Sequence, residues 1–216
     1  YADAALQRGE ISACGPMTFP PATMSLHYGQ AIFEGMKAFR QKDGSVSLFR
    51  PGRNIQRLNF SARRLSMPEV PEDIVFQAIV ELVKLDTNWV PSAPDSALYI
   101  RPFMFATESH VGVRPSLNHR LCIFTCPVGA YYTRPVRVKV ETKFTRAASG
   151  GTGAAKAAGN YAGSLFPTEI AKSEGYDQVL WTDGATHTKV EECGTMNVGF
   201  VIDGKLVVPC TSDTVL

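Results

Sequence analysis

Gly150-Gly151-Thr152-Gly153-Ala154-Ala155-Lys156-Ala157-Ala158-Gly159-Asn160-Tyr161 sets four glycines and four alanines around one lysine. Small side chains let a backbone turn tightly and let a bulky group lie against it. A glycine-rich turn that runs into a helix also presents unpaired N–H groups, which suit an anion. The single cation in this clearing has three chemical readings: a phosphate-binding lysine, a reactive amine, or a solvated loop residue.

A nucleotide-binding P-loop needs glycine directly before the lysine and a hydroxyl directly after it. Here Ala155 precedes Lys156 and Ala157 follows, so no hydroxyl is placed for magnesium. A dinucleotide turn begins as Gly151-x-Gly153, but Lys156 stands where the third glycine belongs. An amine that condenses with an aldehyde cofactor must be neutral to react, which burial or nearby cations bring about. Small neighbours leave room there for a flat ring. From Lys156 alone, a surface lysine in a loop is the better reading. A pyridoxal phosphate site also needs an acid at the ring nitrogen, a cation or helix end at the phosphate, and a phenol near the ring oxygen. Glu191-Glu192-Cys193-Gly194-Thr195-Met196-Asn197 offers a carboxylate before a tight turn. Arg57 offers a fork-shaped donor, and Tyr161 follows Lys156 by five residues. Spacing alone does not bring these groups together.

The totals limit the classes. The 216 residues suit one large domain or two small ones, and 44% hydrophobic with 19% charged is ordinary globular composition. A net charge of +2 argues against a nucleic-acid or anionic-membrane partner. No apolar run is long enough for a membrane helix, and Tyr1-Ala2-Asp3-Ala4 shows no signal-peptide pattern. Five scattered cysteines without a Cys-x-x-Cys pair, and four isolated histidines, read as a reducing, cytoplasmic setting with no metal site. Cys122 and Cys126 read as buried small hydrophobes in a strand.

Along the chain, residues 1–24 read as loop with one short strand. Met36 to Arg40 alternates as a half-buried strand, and Val46 to Phe49 returns as its hairpin partner beyond a turn at Lys42 to Ser45. Pro51 opens a helix with an apolar stripe at Ile55, Leu58, Ala62 and Leu65, and Arg53, Arg57 and Arg64 lie beside it. A second helix begins at Pro71-Glu72-Asp73, with Ile74, Ala78, Leu82 and Leu85 expected on its buried side. Ala97 to Ala106 and Arg120 to Val128 are strands, and the period of two puts Tyr99 and Arg101 on one face. Gly129 to Pro135 reads as a linker and Val136 to Val140 as a new strand. A helix is expected from Tyr161 to Ser173, capped by Asn160. Residues 178–181, 195–202 and 205–208 complete the strands. Phe39, Phe60, Phe103 and Phe105 are assigned to core packing.

Several of these pieces together resemble one family. Leu26-His27-Tyr28, Phe33-Glu34-Gly35-Met36-Lys37-Ala38, Leu48-Phe49-Arg50-Pro51, Leu98-Tyr99-Ile100-Arg101-Pro102, Cys126 to Tyr131, Gly150 to Tyr161, Gln178 to Trp181 and Glu192 to Asn197 occur in order over residues 25–216. In this the chain resembles the branched-chain amino acid aminotransferases, which are fold-type IV pyridoxal-phosphate enzymes. The resemblance implies an α/β (α+β) fold: a small α/β domain over 1–132, a linker at 133–136, and from 137 a larger, mostly β pseudo-barrel domain that is incomplete at 216. It implies Lys156 as the lysine that bonds the cofactor and moves the substrate proton. It implies Glu192, two places before Gly194, at the pyridine nitrogen, Arg57 at the phosphate, and Tyr161 beside the ring oxygen. Thr195 is implied as a further cofactor contact. Tyr28, Phe33, Tyr99 and Tyr131 are implied as walls of the side-chain pocket, Tyr28 acting across a homodimer interface. Arg101 is implied beside the glutamate carboxylate. The substrates implied are L-leucine, L-isoleucine and L-valine with 2-oxoglutarate.

Ala158 departs from the family, which usually has glycine there. The family's large domain also continues past residue 216, so these residues alone are expected to fold poorly or to be inactive. The alternatives within the fold are a D-amino acid aminotransferase or an aminodeoxychorismate lyase-like enzyme, and the distant one is a non-enzymatic domain.

Overall fold

The computed structural model describes residues 6–216, which fall into two units dividing between Tyr131 and Tyr132. The first unit runs α1 (Met24–Tyr28), β1 (Ala31–Phe33), β2 (Met36–Arg40), β3 (Val46–Leu48), α2 (Pro51–Arg64), α3 (Glu72–Leu85), a 3-10 turn (Thr87–Trp89), β4 (Ala97–Ala106) and β5 (His119–Val128). These strands form one antiparallel sheet centred on β4. Strand β5 pairs with β4 along its whole length. The other edge of β4 is shared by β1, opposite residues 103–105, and β2, opposite residues 98–100. Pro102 lies at the break between them, where its carbonyl accepts the Glu34 N–H at 2.8 Å. Proline has no N–H to donate, so an interior strand tolerates it where ladder pairing is already interrupted.

Alternation along β4 divides the sheet chemically. Leu98, Ile100 and Met104 face Ile55, Leu58 and Ala62 of α2 and Val75, Ile79 and Val83 of α3, and these residues form the main core. Tyr99, Arg101, Phe103 and Phe105 occupy the opposite face, as the period of two requires.

The second unit contains β6 (Val138–Val140), α4 (Ala158–Ser173), β7 (Gln178–Thr182), β8 (Val190–Cys193), β9 (Phe200–Ile202) and β10 (Lys205–Val207). Strands β6 and β7 pair in parallel through the α4 crossover, and β8 adds antiparallel to β7. The hairpin β9–β10 stands apart from that sheet. A small core of Ala171, Val179 and Trp181, with Phe144 and Tyr176 against it, joins α4 to the sheet.

The structure corrects several expectations. Helix α3 buries Val75, Ile79 and Val83, one position on from the expected phase, while Ile74 and Leu85 are exposed. Ile74-Val75-Phe76 and Leu82-Val83 are apolar on adjoining positions, so periodicity alone left the phase undetermined. Helix α4 begins three residues early, at Ala158, so Asn160 lies within its first turn and does not cap it. Phe39 and Phe60 are exposed and do not pack in the core, and Cys126 is exposed as well. The strand expected from 195 starts at Phe200, and that expected from Val136 starts at Val138. Residues 6–22 contain no strand; residues 1–5, including the leader reading of Tyr1 to Ala4, lie outside the described residues. Short elements α1, β1 and β8 were not anticipated.

The α3 phase has a thermodynamic signature. Ile79→Ala should destabilise the full-length protein by about 2–5 kcal/mol through lost burial and cavity formation. Ile74→Ala should change stability by no more than about 0.5 kcal/mol. Urea unfolding of the two variants measures the contrast, and equal losses would contradict the observed phase.

Candidate functional site

The second unit gathers the groups around Lys156. Its glycine-rich loop is held almost entirely through its backbone. Gly150 N–H and Ser149 Oγ donate to the Asp213 carboxylate at 2.7 and 2.8 Å, and Ala154 N–H donates to the Asp213 carbonyl at 2.9 Å. Asn160, expected as a cap, instead donates Nδ2 to the carbonyls of Thr152 and Ala155, both at 2.8 Å. Thr152 Oγ1 returns a bond to Asn160 Oδ1 at 2.6 Å. Gly153 is buried where a Cβ would lie 2.6 Å from Ala147 Cβ and 2.7 Å from Thr214 Cα.

Lys156 Nζ donates to the Tyr161 hydroxyl at 2.8 Å. The early start of α4 brings this about: Tyr161 lies in its first turn, close to the end of the loop. Across the same pocket stands Glu192, whose side chain is 2% exposed. Its Oε2 lies 3.3 Å from Arg146 Nε, and its Oε1 accepts the Leu216 N–H. Burial pushes the Glu192 carboxyl above the usual carboxylate range, opposed by the Leu216 N–H and by the charges of Arg146 and Lys156. Alternation along β8 sends the adjacent Glu191 elsewhere, where its Oε1 accepts from Thr214 Oγ1 at 2.5 Å. Arg146, Asn160, Tyr161, Ser164, Glu192, Gly194 and Thr195 line one shallow pocket. Gly194 has φ of 58°, and a Cβ there would meet the Gln178 side-chain oxygen, so the turn beside Glu192 favours glycine. A buried carboxylate and a phenol thus line one recess, and the phenol accepts from the Lys156 amine.

The first unit positions the other expected residues. Arg57, on α2, is clamped by Glu34 through Nε–Oε1 at 2.6 Å and Nη2–Oε2 at 3.0 Å. The Glu34 side chain is fully buried and also accepts from Asn54 Nδ2 at 2.9 Å, one helical turn from Arg57. Such a two-bond clamp fixes the plane of a guanidinium. On the outer face of the sheet, Arg101 Nη2 donates to the Tyr99 hydroxyl at 2.8 Å, and the Arg101 guanidinium lies 4.6 Å from the Phe33 ring centre. A side chain at residue 35 would run into the Tyr99 hydroxyl, so glycine is what lets that phenol lie over the β1–β2 turn. Phe33, Tyr99 and Arg101 therefore form one cluster. Tyr28 stands outside it, its hydroxyl accepting the Gly112 N–H at 2.8 Å, and Tyr131 is 74% exposed. Sequence reasoning did not single out Glu34, Arg146, Asn160 as a loop anchor, or Asp213. Glu34 lay inside a quoted motif, whereas nothing local marks Arg146 or Asp213.

Comparison with known proteins bears on this arrangement. The family model described as amino-transferase class IV matches residues 31–216. The chain is 48% identical over 210 residues to a branched-chain-amino-acid transaminase of Bacillus subtilis, covering 95% of this chain and 59% of that protein. It is 43% identical over 222 residues to a branched-chain-amino-acid aminotransferase of Mycolicibacterium smegmatis, covering 99% of this chain and 60% of that protein. The chain thus spans about six tenths of the length of these curated relatives. Among solved structures, the branched-chain aminotransferase of Thermoproteus uzoniensis with norvaline superposes with a TM-score of 0.79 at 25% identity, over 92% of this chain and 65% of that one. The branched-chain amino acid aminotransferase of Escherichia coli gives 0.76 at 25% identity, over 92% of this chain and 64% of that one.

The loop contacts predict a contrast between two of its glycines. Gly153→Ala should destabilise the full-length protein by about 1–3 kcal/mol, because both backbone and side-chain neighbours block the added methyl. Gly159→Ala lies in α4 with nothing within 4 Å, and should be neutral or stabilising by up to about 1 kcal/mol. Thermal unfolding of both variants tests this.

Proposed function

The chain belongs to the class IV amino-transferase family, and on that premise we propose that the protein is a pyridoxal-phosphate-dependent transaminase of L-leucine, L-isoleucine and L-valine, with 2-oxoglutarate as amino acceptor. The observation that carries this reading is the Lys156–Tyr161 contact beside buried Glu192. The names of the relatives described above, branched-chain transaminases or aminotransferases, support the substrate class. In this reading residues 1–132 are the small domain, 133–136 the linker, and 137–216 the opening part of the larger cofactor domain.

The residues present fit the cofactor. Glu192 Oε2 meets Arg146 and Oε1 meets the Leu216 N–H, and an ionised carboxylate offers about four acceptor sites, so capacity remains for a ring N–H. When bound, pyridoxal phosphate supplies an aldehyde for the amine and a ring that withdraws electrons from the substrate Cα. Glu192 holds the proton at the pyridine nitrogen. Tyr161 Oη orients Lys156 Nζ, and its phenol serves the ring oxygen. With the cofactor bound, Lys156 Nζ would take the proton from the substrate Cα and later give it back, acting as general base and then acid. Arg57, set in its plane by Glu34, would hold the phosphate, and Thr195 would add a contact from the turn after Glu192. Phe33, Tyr99 and Tyr131 wall the side-chain pocket, while Arg101 serves the second carboxylate of glutamate. Branched aliphatic side chains favour such aromatic surroundings, and one cation among them admits the dicarboxylic partner.

The working form in this reading is a cytoplasmic homodimer, with Tyr28 acting across the interface. Leu26, Val111, Val113 and Leu117 are each more than 70% exposed, and the Tyr28–Gly112 bond ties α1 to the loop that bears the valines. Exposed apolar side chains grouped in this way mark an association surface.

Two measurements test these assignments. Borohydride reduction of the cofactor-loaded full-length protein should leave a phosphopyridoxyl group on the peptide containing Lys156. Lys156→Ala should abolish both the label and turnover of L-leucine; a label on another lysine, or preference for D-alanine, would defeat the reading. In sedimentation, Leu26→Asp with Val113→Asp should convert the dimer to monomer, and an unchanged dimer would place the interface elsewhere.

A further inference from the structure

Arg146 precedes the lysine loop by a few residues and carries no motif. Its side chain is nevertheless 6% exposed, and each of its three nitrogens has a partner. Nε faces Glu192 Oε2 at 3.3 Å, Nη1 donates to the Thr214 carbonyl at 2.7 Å, and Nη2 donates to the Gly153 carbonyl at 3.2 Å. A buried guanidinium is costly unless it is both paired and fully hydrogen-bonded. Two of these three partners are neutral carbonyls, so the countercharge comes from Glu192. A lysine could not replace this contact set, because three acceptors in three directions need the planar fork.

We propose that Arg146 is a positioning residue that holds Glu192 ionised and aimed into the pocket while anchoring the Lys156 loop at Gly153, so that one guanidinium sets acid and amine relative to each other. This rests on the cofactor reading above, in which Glu192 keeps the ring nitrogen protonated. The 3.3 Å separation is longer than the 2.6 Å clamp of Arg57 on Glu34, so Arg146 orients Glu192 without occupying both of its oxygens. The anchored carbonyl lies three residues before Lys156.

The electrostatic sign follows from the groups that face Glu192. Arg146 and Lys156 favour its anion, as does the Leu216 N–H; Glu191 and burial oppose it. Removing Arg146 removes one favourable charge and leaves burial in place. Glu192 then takes up its proton at a higher pH, and the ring nitrogen loses its anionic partner over a wider range on the acid side.

The test uses the full-length, cofactor-loaded protein and follows the visible absorbance of bound cofactor against pH. Arg146→Met should move the acid-side midpoint up by roughly one pH unit and lower kcat for L-leucine about ten-fold with little change in KM. Arg146→Gln, neutral but able to donate to one carbonyl, should move the midpoint similarly, and Arg146→Lys, which keeps the charge, should restore most of it. If the methionine variant fails to fold, the glutamine and lysine variants supply the same comparison. In a Glu192→Gln background, Arg146→Gln should leave the midpoint where it is, because the two residues act as one unit. An unmoved midpoint in the methionine and glutamine variants, or an equal shift in the Glu192→Gln background, overturns the role of Arg146. Failure of borohydride to label Lys156 in the unaltered protein would instead overturn the cofactor reading, so the two failures are distinguishable.

Discussion

A loop made mostly of glycine and alanine has few side chains with which to hold itself in place. That constraint governs the second unit. The loop around Lys156 borrows its rigidity from outside: the Asp213 carboxylate and carbonyl, the Asn160 amide and the Arg146 guanidinium all bind its backbone. Backbone entropy is greatest for glycine, so these contacts must offset a larger ordering cost than in an ordinary turn. The result is a loop of small residues fixed in position, with Lys156 reaching Tyr161 at its end.

Each unit also contains one buried glutamate paired with an arginine, and the pairs differ in geometry. Glu34 and Arg57 form a tight two-bond clamp that orients the arginine. Arg146 meets Glu192 through one longer contact and spends its other nitrogens on carbonyls. In the first case the carboxylate supports the arginine; in the second the arginine supports the carboxylate. Buried ion pairs contribute little net stability because desolvation offsets attraction. Their value here is directional: each leaves one partner pointed toward the chemistry assigned to it.

The glycines acquire separate reasons. Gly153 is small because Ala147 and Thr214 crowd it, Gly194 because the turn is left-handed and Gln178 fills the space, and Gly35 because Tyr99 lies over it. Ala158 opens α4, a position with ordinary helical backbone that alanine adopts readily.

Much of this was legible from the chain. Alternation in 97–106 predicted both the strand and the shared face of Tyr99 and Arg101, because period two is a local property of extended backbone. The motifs also placed Lys156, Tyr161 and Glu192 in one proposed site, and in the structure Lys156 meets Tyr161. The α3 phase was not legible, because apolar residues on neighbouring positions fit more than one helix face and only the facing sheet selects among them. Asn160 was read as a cap from its place before an expected helix; its side chain instead serves loop carbonyls that sequence does not bring near. Arg146 and Asp213 illustrate the limit. Each is an ordinary charged residue by composition, and each matters chiefly through partners far away along the chain. The sequence by itself determined the chemistry available, since residue types and short spacings are local. Tertiary structure alone decided which charges were buried together and which backbone they held, because burial and long-range pairing arise only when distant segments pack.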